Sequence, residues 1–523
     1  MKVHLLRADK DFDFGAEPPA RQRDLVQDLE LPVLLSAMAG GDAFLFDVSA
    51  RVLLASLTDP DEISYRQRVL ADCIAQPGAV RALYSVAVNA IEDRRHIWGI
   101  HNLDNPSAIL SSALRQLEAA IVRVRELRRL ADLHAGAFAS EGFATLIASL
   151  QRELDDDYLN AADHHLEQLR FRRGELLSAR LGADSSGVGY VLRVPRRRRH
   201  DLQRLVELAS PKSYSFKVPP HPDGPGRELS DIANRGLARV ANAAAQSADH
   251  ISSYFTALRA ELAFYLGGVN LYEALTGIGE AVTFPTATSL GSGELSAHDL
   301  RDTCLALRGA GRVIGNDLDA DDKALVLVTG ANSGGKSTFL RSLGVAQLMM
   351  QCGLFVTAGH FRSSVARQVF THFIREEDRT MTRGRLDDEL ARMSAIAEEV
   401  SWGCLILFNE SFAGTNEREG SEIACQVVRA LLDGGVRVAF VTHLFDFAHS
   451  LYLERAERGV FLRAERHRSG QRGYKLTPGE PLATSFAEDV YLRVGRWMDG
   501  EPTIETAPHD RGQLATDGLP SRS

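Results

Sequence analysis

The stretch ALVLVTGANSGGKSTFLRSLGVAQLM, Ala324 to Met349, decides the fold of the second half of the chain. An apolar strand runs into GANSGGKS, a full match to the G-x-x-x-x-G-K-[ST] pattern, and a helix carrying Leu340, Leu343 and Leu348 follows. Glycines 330, 334 and 335 let backbone amides curl around phosphate oxygens, and the helix amino terminus adds its partial positive charge. Gly330, Asn332, Ser333, Gly334, Gly335, Lys336, Ser337 and Thr338 are therefore the expected nucleotide-binding residues. Lys336 is expected to reach the β- and γ-phosphates of ATP, and the Ser337 hydroxyl to bind Mg2+.

Further along, LILFNES, Leu405 to Ser411, supplies a second strand, and VRVAFVTH, Val436 to His443, a third. Most P-loop proteins that hydrolyse ATP end the second strand in two carboxylates, one serving magnesium and one activating water; here Asn409 stands in place of the first and Glu410 is the second. An asparagine oxygen accepts the same hydrogen bond from a magnesium-bound water but brings no negative charge. Metal binding is weakened while the base, Glu410, remains, and the pair reads as a slow but competent ATPase. His443 sits at the carboxyl end of its strand, where ligands bind in open α/β sheets. By itself it reads as a hydrogen-bonded edge histidine; beside a phosphate loop and Glu410 it reads as a contact to the γ-phosphate.

Working outward, a chain of 523 residues exceeds one hydrophobic core and implies several domains. From about residue 21 to 283 the pattern is helical, with Leu114, Leu117, Ile121 and Val124 on one face and Ile251, Tyr254, Phe255, Leu258, Leu262 and Tyr265 on another. Within it GVGYVLRVP, Gly187 to Pro195, and SYSFKVPP, Ser213 to Pro220, switch to strand-like composition, so a small β-containing insertion is expected at about 185–225, although its prolines also allow a plain loop. From about 284 to 496 short apolar strands alternate with helices, which predicts an α/β domain with a largely parallel sheet. Residues 1–20 form an amino-terminal segment, and 497–523 lack a repeating apolar face and are expected to be a disordered tail.

The composition excludes some classes and leaves others open. No apolar run approaches the roughly 20 residues that span a bilayer, and MKVHLLRADKDFDFG has acidic residues where a secretory peptide would be apolar. Five scattered cysteines without a CxxC pair suit free thiols, and a cytoplasmic location is expected. The net charge of -9 gives no global signature of nucleic-acid binding, so such a surface must be local. RVPRRRRH is the clearest candidate, with Arg196, Arg197, Arg198 and Arg199 as expected DNA contacts; a solvated loop is the equal alternative.

TGANSGGKSTFLRSL, LILFNESFAGTNEREG and VAFVTHLFDF, in that order, resemble the ATPase domain of the MutS family, mismatch-repair ATPases of the ABC-type P-loop class. The likeness extends upstream through VIGNDLDADDKALVLVTG and downstream through YKLTPGEPLATSFAEDV, and more weakly to LLASLTDPDEISYRQRVLADCI, Leu53 to Ile74, which is similar to the start of that family's helical core. The resemblance implies a mainly α core and lever region with a clamp-like insertion, followed by the α/β ATPase domain. It also implies a homodimer with composite ATP sites.

Three departures qualify it. Family members that read mismatches do so with an amino-terminal domain carrying a Phe-x-Glu wedge; the helical core here begins too early for that domain, and the Phe-x-Glu at Phe486 to Glu488 follows the ATPase sheet. In RGRLDDELARMSAIAEEV, Arg383 to Val400, the serine usually presented to the partner's ATP is absent, while Glu389 keeps its spacing. Asn409 is the third. The expected function is an ATP-driven clamp on duplex or branched DNA, in repair or recombination, without wedge-type mismatch reading. The alternative is a nucleotide-gated interaction protein that grips a protein or RNA particle, with slow or absent hydrolysis.

If Arg196 to Arg199 contact phosphates, converting the four to alanine is expected to weaken DNA binding across sequences and to lower the salt slope by roughly one unit per lost contact. Titrations on duplex, mismatched and branched DNA at several salt concentrations check this; an unchanged slope identifies a solvated loop.

Overall fold

The computed structural model of the chain describes residues 2–16, 21–98, 105–171, 176–181, 183, 187–193, 225–309, 311–330, 334–375, 384–466 and 472–482. Helices open at the signals the sequence carries. Asp59, Asn105, Ser140 and Asp155 each accept a backbone N–H as the cap of Pro60–Ala75, Pro106–Leu133, Glu141–Glu153 and Asp156–Leu169. Proline follows the first two caps, where its missing N–H costs nothing.

The longest element is the helix Pro225–Gly277. At about 1.5 Å per residue it extends roughly 80 Å. Its first half packs Leu237, Ala241, Ala244 and Ala248 against Leu110, Leu114, Leu117 and Ile121 of Pro106–Leu133, so the predicted leucine face is the buried one. Its second half, from Tyr254 to Leu275, enters the main core together with Leu340, Leu343 and Met349 of the P-loop helix Lys336–Gln351. Helical region and sheet region thus share one core.

The β-containing insertion is present in part. Gly187–Arg193 forms a strand as expected, but its antiparallel partner is Leu176–Leu181. The expected second strand, Ser213 to Pro220, lies outside the described residues, as do the tail and Phe486 to Glu488.

From Thr286 on, the chain builds two sheets. The larger has six strands in the order 472–478, 459–466, 325–329, 437–441, 405–409, 369–373. Its neighbours pair in parallel except the first two, which are antiparallel. The parallel expectation therefore holds for this sheet. The strand 437–441 lies between the P-loop strand and 405–409, so the third strand in sequence is the middle one in space. A second, mixed sheet of four strands, 286–288, 360–364, 295–300 and 316–319, was not anticipated.

Residues 2–16 are strapped to the helical core by a buried carboxylate. Glu261, fully buried on the long helix, accepts the backbone N–H groups of Leu5 at 2.7 Å, Leu6 at 3.0 Å and Phe12 at 3.1 Å. Tyr265 and Tyr65 donate their hydroxyls to the carbonyls of Leu5 and His4, both at 2.6 Å. Because an unpaired buried N–H costs about 1–3 kcal/mol, Glu261→Ala is expected to lose at least about 3 kcal/mol of stability in denaturant unfolding. In a chain without residues 2–16 the same substitution is expected to cost clearly less, because the stranded amides are gone.

Candidate functional site

The strands 325–329, 437–441 and 405–409 end side by side, and the polar residues singled out in the sequence follow directly from those ends. Leu325–Thr329 is buried throughout, which is why its apolar run reads without alternation. The chain leaves it through Gly330 at φ 113° and enters the helix Lys336–Gln351 through Gly335 at φ 87°. Both angles lie where glycine is favoured, and a Cβ on Gly330 would stand 3.0 Å from the backbone nitrogen of Ala464. Ala331, Asn332 and Ser333 lie outside the described residues, as do Arg196, Arg197, Arg198 and Arg199.

Five expected residues are brought together. Lys336 is buried; its Nζ donates to the carbonyl of Gly330 at 2.8 Å and stands 3.8 Å from Glu410 Oε1. Burial pulls the Lys336 pKa below its ordinary value, and the Glu410 carboxylate opposes that pull. The Ser337 hydroxyl donates to Asn409 Oδ1 at 2.7 Å. Glu410 Oε2 lies 2.5 Å from His443 Nδ1, and this hydrogen bond is the main cause that raises the His443 pKa above 6.5, with burial working against it. The carboxylate thus sits between a lysine and a histidine, with Oε1 toward one and Oε2 toward the other.

The chemistry of the donor set fits a magnesium nucleotide. Ser337 and Asn409 offer two neutral oxygens, and Mg2+ takes oxygen ligands while keeping several waters. Among the described residues no group of three or more His, Cys, Asp or Glu could form an all-protein metal cage. Such an ion would depend on the nucleotide itself.

A cavity of about 420 Å³ adjoins the loop, lined by Arg312, Ile314, Asn316, Gly335, Thr338 and Tyr474 among others. Asn316 fixes its wall by donating to the Tyr474 carbonyl at 3.2 Å and accepting from the Leu476 amide at 2.8 Å. Thr338 was expected at the nucleotide; Arg312, Ile314, Asn316 and Tyr474 were not. Ile314, Asn316 and Tyr474 fall in stretches that resemble the family, Arg312 just outside one, and 160 residues separate Asn316 from Leu476.

Residues 58–278 match the family model of the MutS2 N-terminal domain, and residues 326–479 match that of MutS domain V. Among curated proteins, an endonuclease MutS2 of Lacticaseibacillus casei is 31% identical over 199 residues, which is 38% of this chain and 25% of the relative. A DNA mismatch repair protein MutS of Thermotoga neapolitana is 33% identical over 135 residues, 26% of this chain and 17% of the relative. That of Leptospira interrogans is 31% identical over 218 residues, 37% of this chain and 26% of the relative. The matches thus span about a quarter or less of the length of these relatives.

Lys336→Ala is expected to abolish or strongly weaken ATP binding, because the charge at this point of the loop has no substitute. Equilibrium binding of a fluorescent ATP analogue with Mg2+ checks it; wild-type affinity in the variant would contradict the site.

Proposed function

We propose, for a chain that belongs to the MutS family, that it binds and slowly hydrolyses ATP and couples this to DNA binding in repair or recombination, as a dimer. The observation that carries the reading is the convergence of Lys336, Ser337, Asn409, Glu410 and His443 at the ends of three neighbouring strands. An ABC-type arrangement of this domain, from about residue 284, follows from the same proposal.

In this reading the amides around Gly334 and Gly335 cradle the phosphates, and Lys336 turns from the Gly330 carbonyl toward the β- and γ-phosphates. The Ser337 hydroxyl and Asn409 Oδ1 are the groups that would hold Mg2+ and its waters. Bound Mg2+ would neutralise charge on the phosphate oxygens. Glu410 takes the proton of the attacking water, and His443 holds the second carboxylate oxygen, so the base is oriented before the nucleotide arrives. Arg312, Ile314 and Tyr474 flank the place of the nucleoside.

The names of the relatives, DNA mismatch repair protein and endonuclease, support DNA as the partner. In this reading the duplex or branched DNA is held by the insertion and its arginines. Asn409 favours one second reading, a switch that binds ATP with little hydrolysis.

Glu410→Gln is expected to keep ATP binding and to reduce hydrolysis by about 10² or more, because the amide fills the same space and takes no proton. Asn409→Asp is expected to tighten Mg2+ and leave hydrolysis equal or faster. Single-turnover hydrolysis across a magnesium titration measures both. Turnover untouched by either change would place the base elsewhere, and a wild type with no turnover would favour the switch.

A further inference from the structure

Glu410 stands on an unusual piece of backbone. Glu410 at φ 54° and Phe412 at φ 63° are both left-handed, although neither is glycine. Such residues persist only where the surroundings over-determine them. Ser411 between them is fully buried. The question is which groups hold the turn, since its shape sets where the Glu410 carboxylate points.

Four contacts do. The Glu410 amide donates to the Val441 carbonyl of the neighbouring strand at 2.8 Å. The Ser411 hydroxyl donates to the His372 carbonyl at 2.5 Å, and His372 Nδ1 lies 2.8 Å from the same hydroxyl oxygen. The Phe412 ring stacks on the His372 ring, with centroids 5.5 Å apart. The Phe412 amide donates to Glu389 Oε2 at 2.5 Å. Glu389 also reaches the turn from a second side, since its own carbonyl lies 3.0 Å from His372 Nε2.

Glu389 is 2% exposed and belongs to Arg385–Ala397, a helix outside the sheet. Buried carboxylates are costly, and this one has an N–H to accept and Arg385 Nε at 3.6 Å from its other oxygen. Packing behind the turn is equally close: a Cβ on Gly420 would stand 2.4 Å from the Phe412 carbonyl oxygen. Gly420, in the helix Glu417–Asp433, thus leaves the Phe412 carbonyl the space that any side chain there would fill.

We propose that Glu389 is a positioning residue for Glu410: by accepting the Phe412 amide it fixes the left-handed 410–412 turn and so aims the Glu410 carboxylate between Lys336 and His443. The proposal rests on the reading of Glu410 as the base, but its geometric part does not. His443 reports the position of Glu410 directly, because their hydrogen bond is the main cause of its raised pKa.

The test uses the full chain and three variants. Glu389→Asp keeps the charge and most of the volume but withdraws the acceptor by a methylene; Glu389→Gln keeps an acceptor oxygen at full reach. Glu410→Gln marks complete loss of the His443 partner. Ring titration of His443 by NMR, assigned with His443→Gln, is expected to show Glu389→Asp falling most of the way toward the Glu410→Gln value, and Glu389→Gln staying near wild type. Single-turnover hydrolysis of Mg-ATP is expected to fall about 10- to 100-fold in Glu389→Asp and to recover most of that loss in Glu389→Gln, with nucleotide affinity changed less than about threefold in both. An unshifted His443 in Glu389→Asp, or a lost shift in Glu389→Gln, overturns the positioning role whatever the hydrolysis. A displaced His443 with undiminished turnover upholds the positioning of Glu410 and instead overturns its reading as the base.

Discussion

Val441 stands beside Val328 on one side and Asn409 on the other, and this two-sided parallel register brings the parts of the candidate site together. It levels the ends of three strands, so that Lys336 and Ser337, which open the helix after the first, meet Asn409 and Glu410 after the second and His443 after the third. A slip of one residue would turn each side chain to the opposite face. The register is held because the strands are buried on both faces: Leu325, Leu327, Ile406, Phe408, Val438 and Phe440 fill one core, while Val326, Val328, Leu405, Leu407, Ala439 and Val441 fill the other.

The same sheet is tied to the helical region at the far end of the P-loop helix. Gln351 donates to the carbonyls of Leu57 and Ala366, both at 2.8 Å, and its own carbonyl accepts the Leu57 amide at 2.9 Å. Arg66, fully buried in Pro60–Ala75, donates to the Leu6 carbonyl at 2.7 Å and to the Cys352 carbonyl at 3.4 Å. The helix that begins at the phosphate loop therefore ends against the helix Pro60–Ala75 and the amino-terminal strap. A displacement of that helix has to break buried hydrogen bonds or carry those elements with it, which physically connects the phosphate-loop motif to the long helix packed in the same core.

Legibility followed sequence distance. The loop, its strand and its helix were readable because strand, glycines and lysine are contiguous. Caps such as Asp59 and Asn105 precede prolines and name their helices. Long packed helices were readable from spacing, as Leu114, Leu117, Ile121 and Val124 show by their burial. The strand Leu176–Leu181 was lost because LLSARL is short and sits among helical patterns, with only its partner carrying β-branched and aromatic residues. The four-stranded sheet was lost because His360–Ser364 and Asn316–Asp319 are polar and brief. Glu261, His372 and Tyr474 act through contacts with residues remote in sequence, and no local pattern distinguishes a carboxylate that accepts three amides from one on a solvated face.

We propose that Ser337 and Asn409, joined by a hydrogen bond of 2.7 Å, would hold the metal. A crystal structure of the full chain with Mg2+ and a non-hydrolysable ATP analogue tests it most directly. The expected result is that this bond opens, with Ser337 and Asn409 both turned toward the ion, Lys336 Nζ on the phosphates and Glu410 still paired with His443. An analogue bound with the Ser337 to Asn409 bond intact and the ion elsewhere would contradict it.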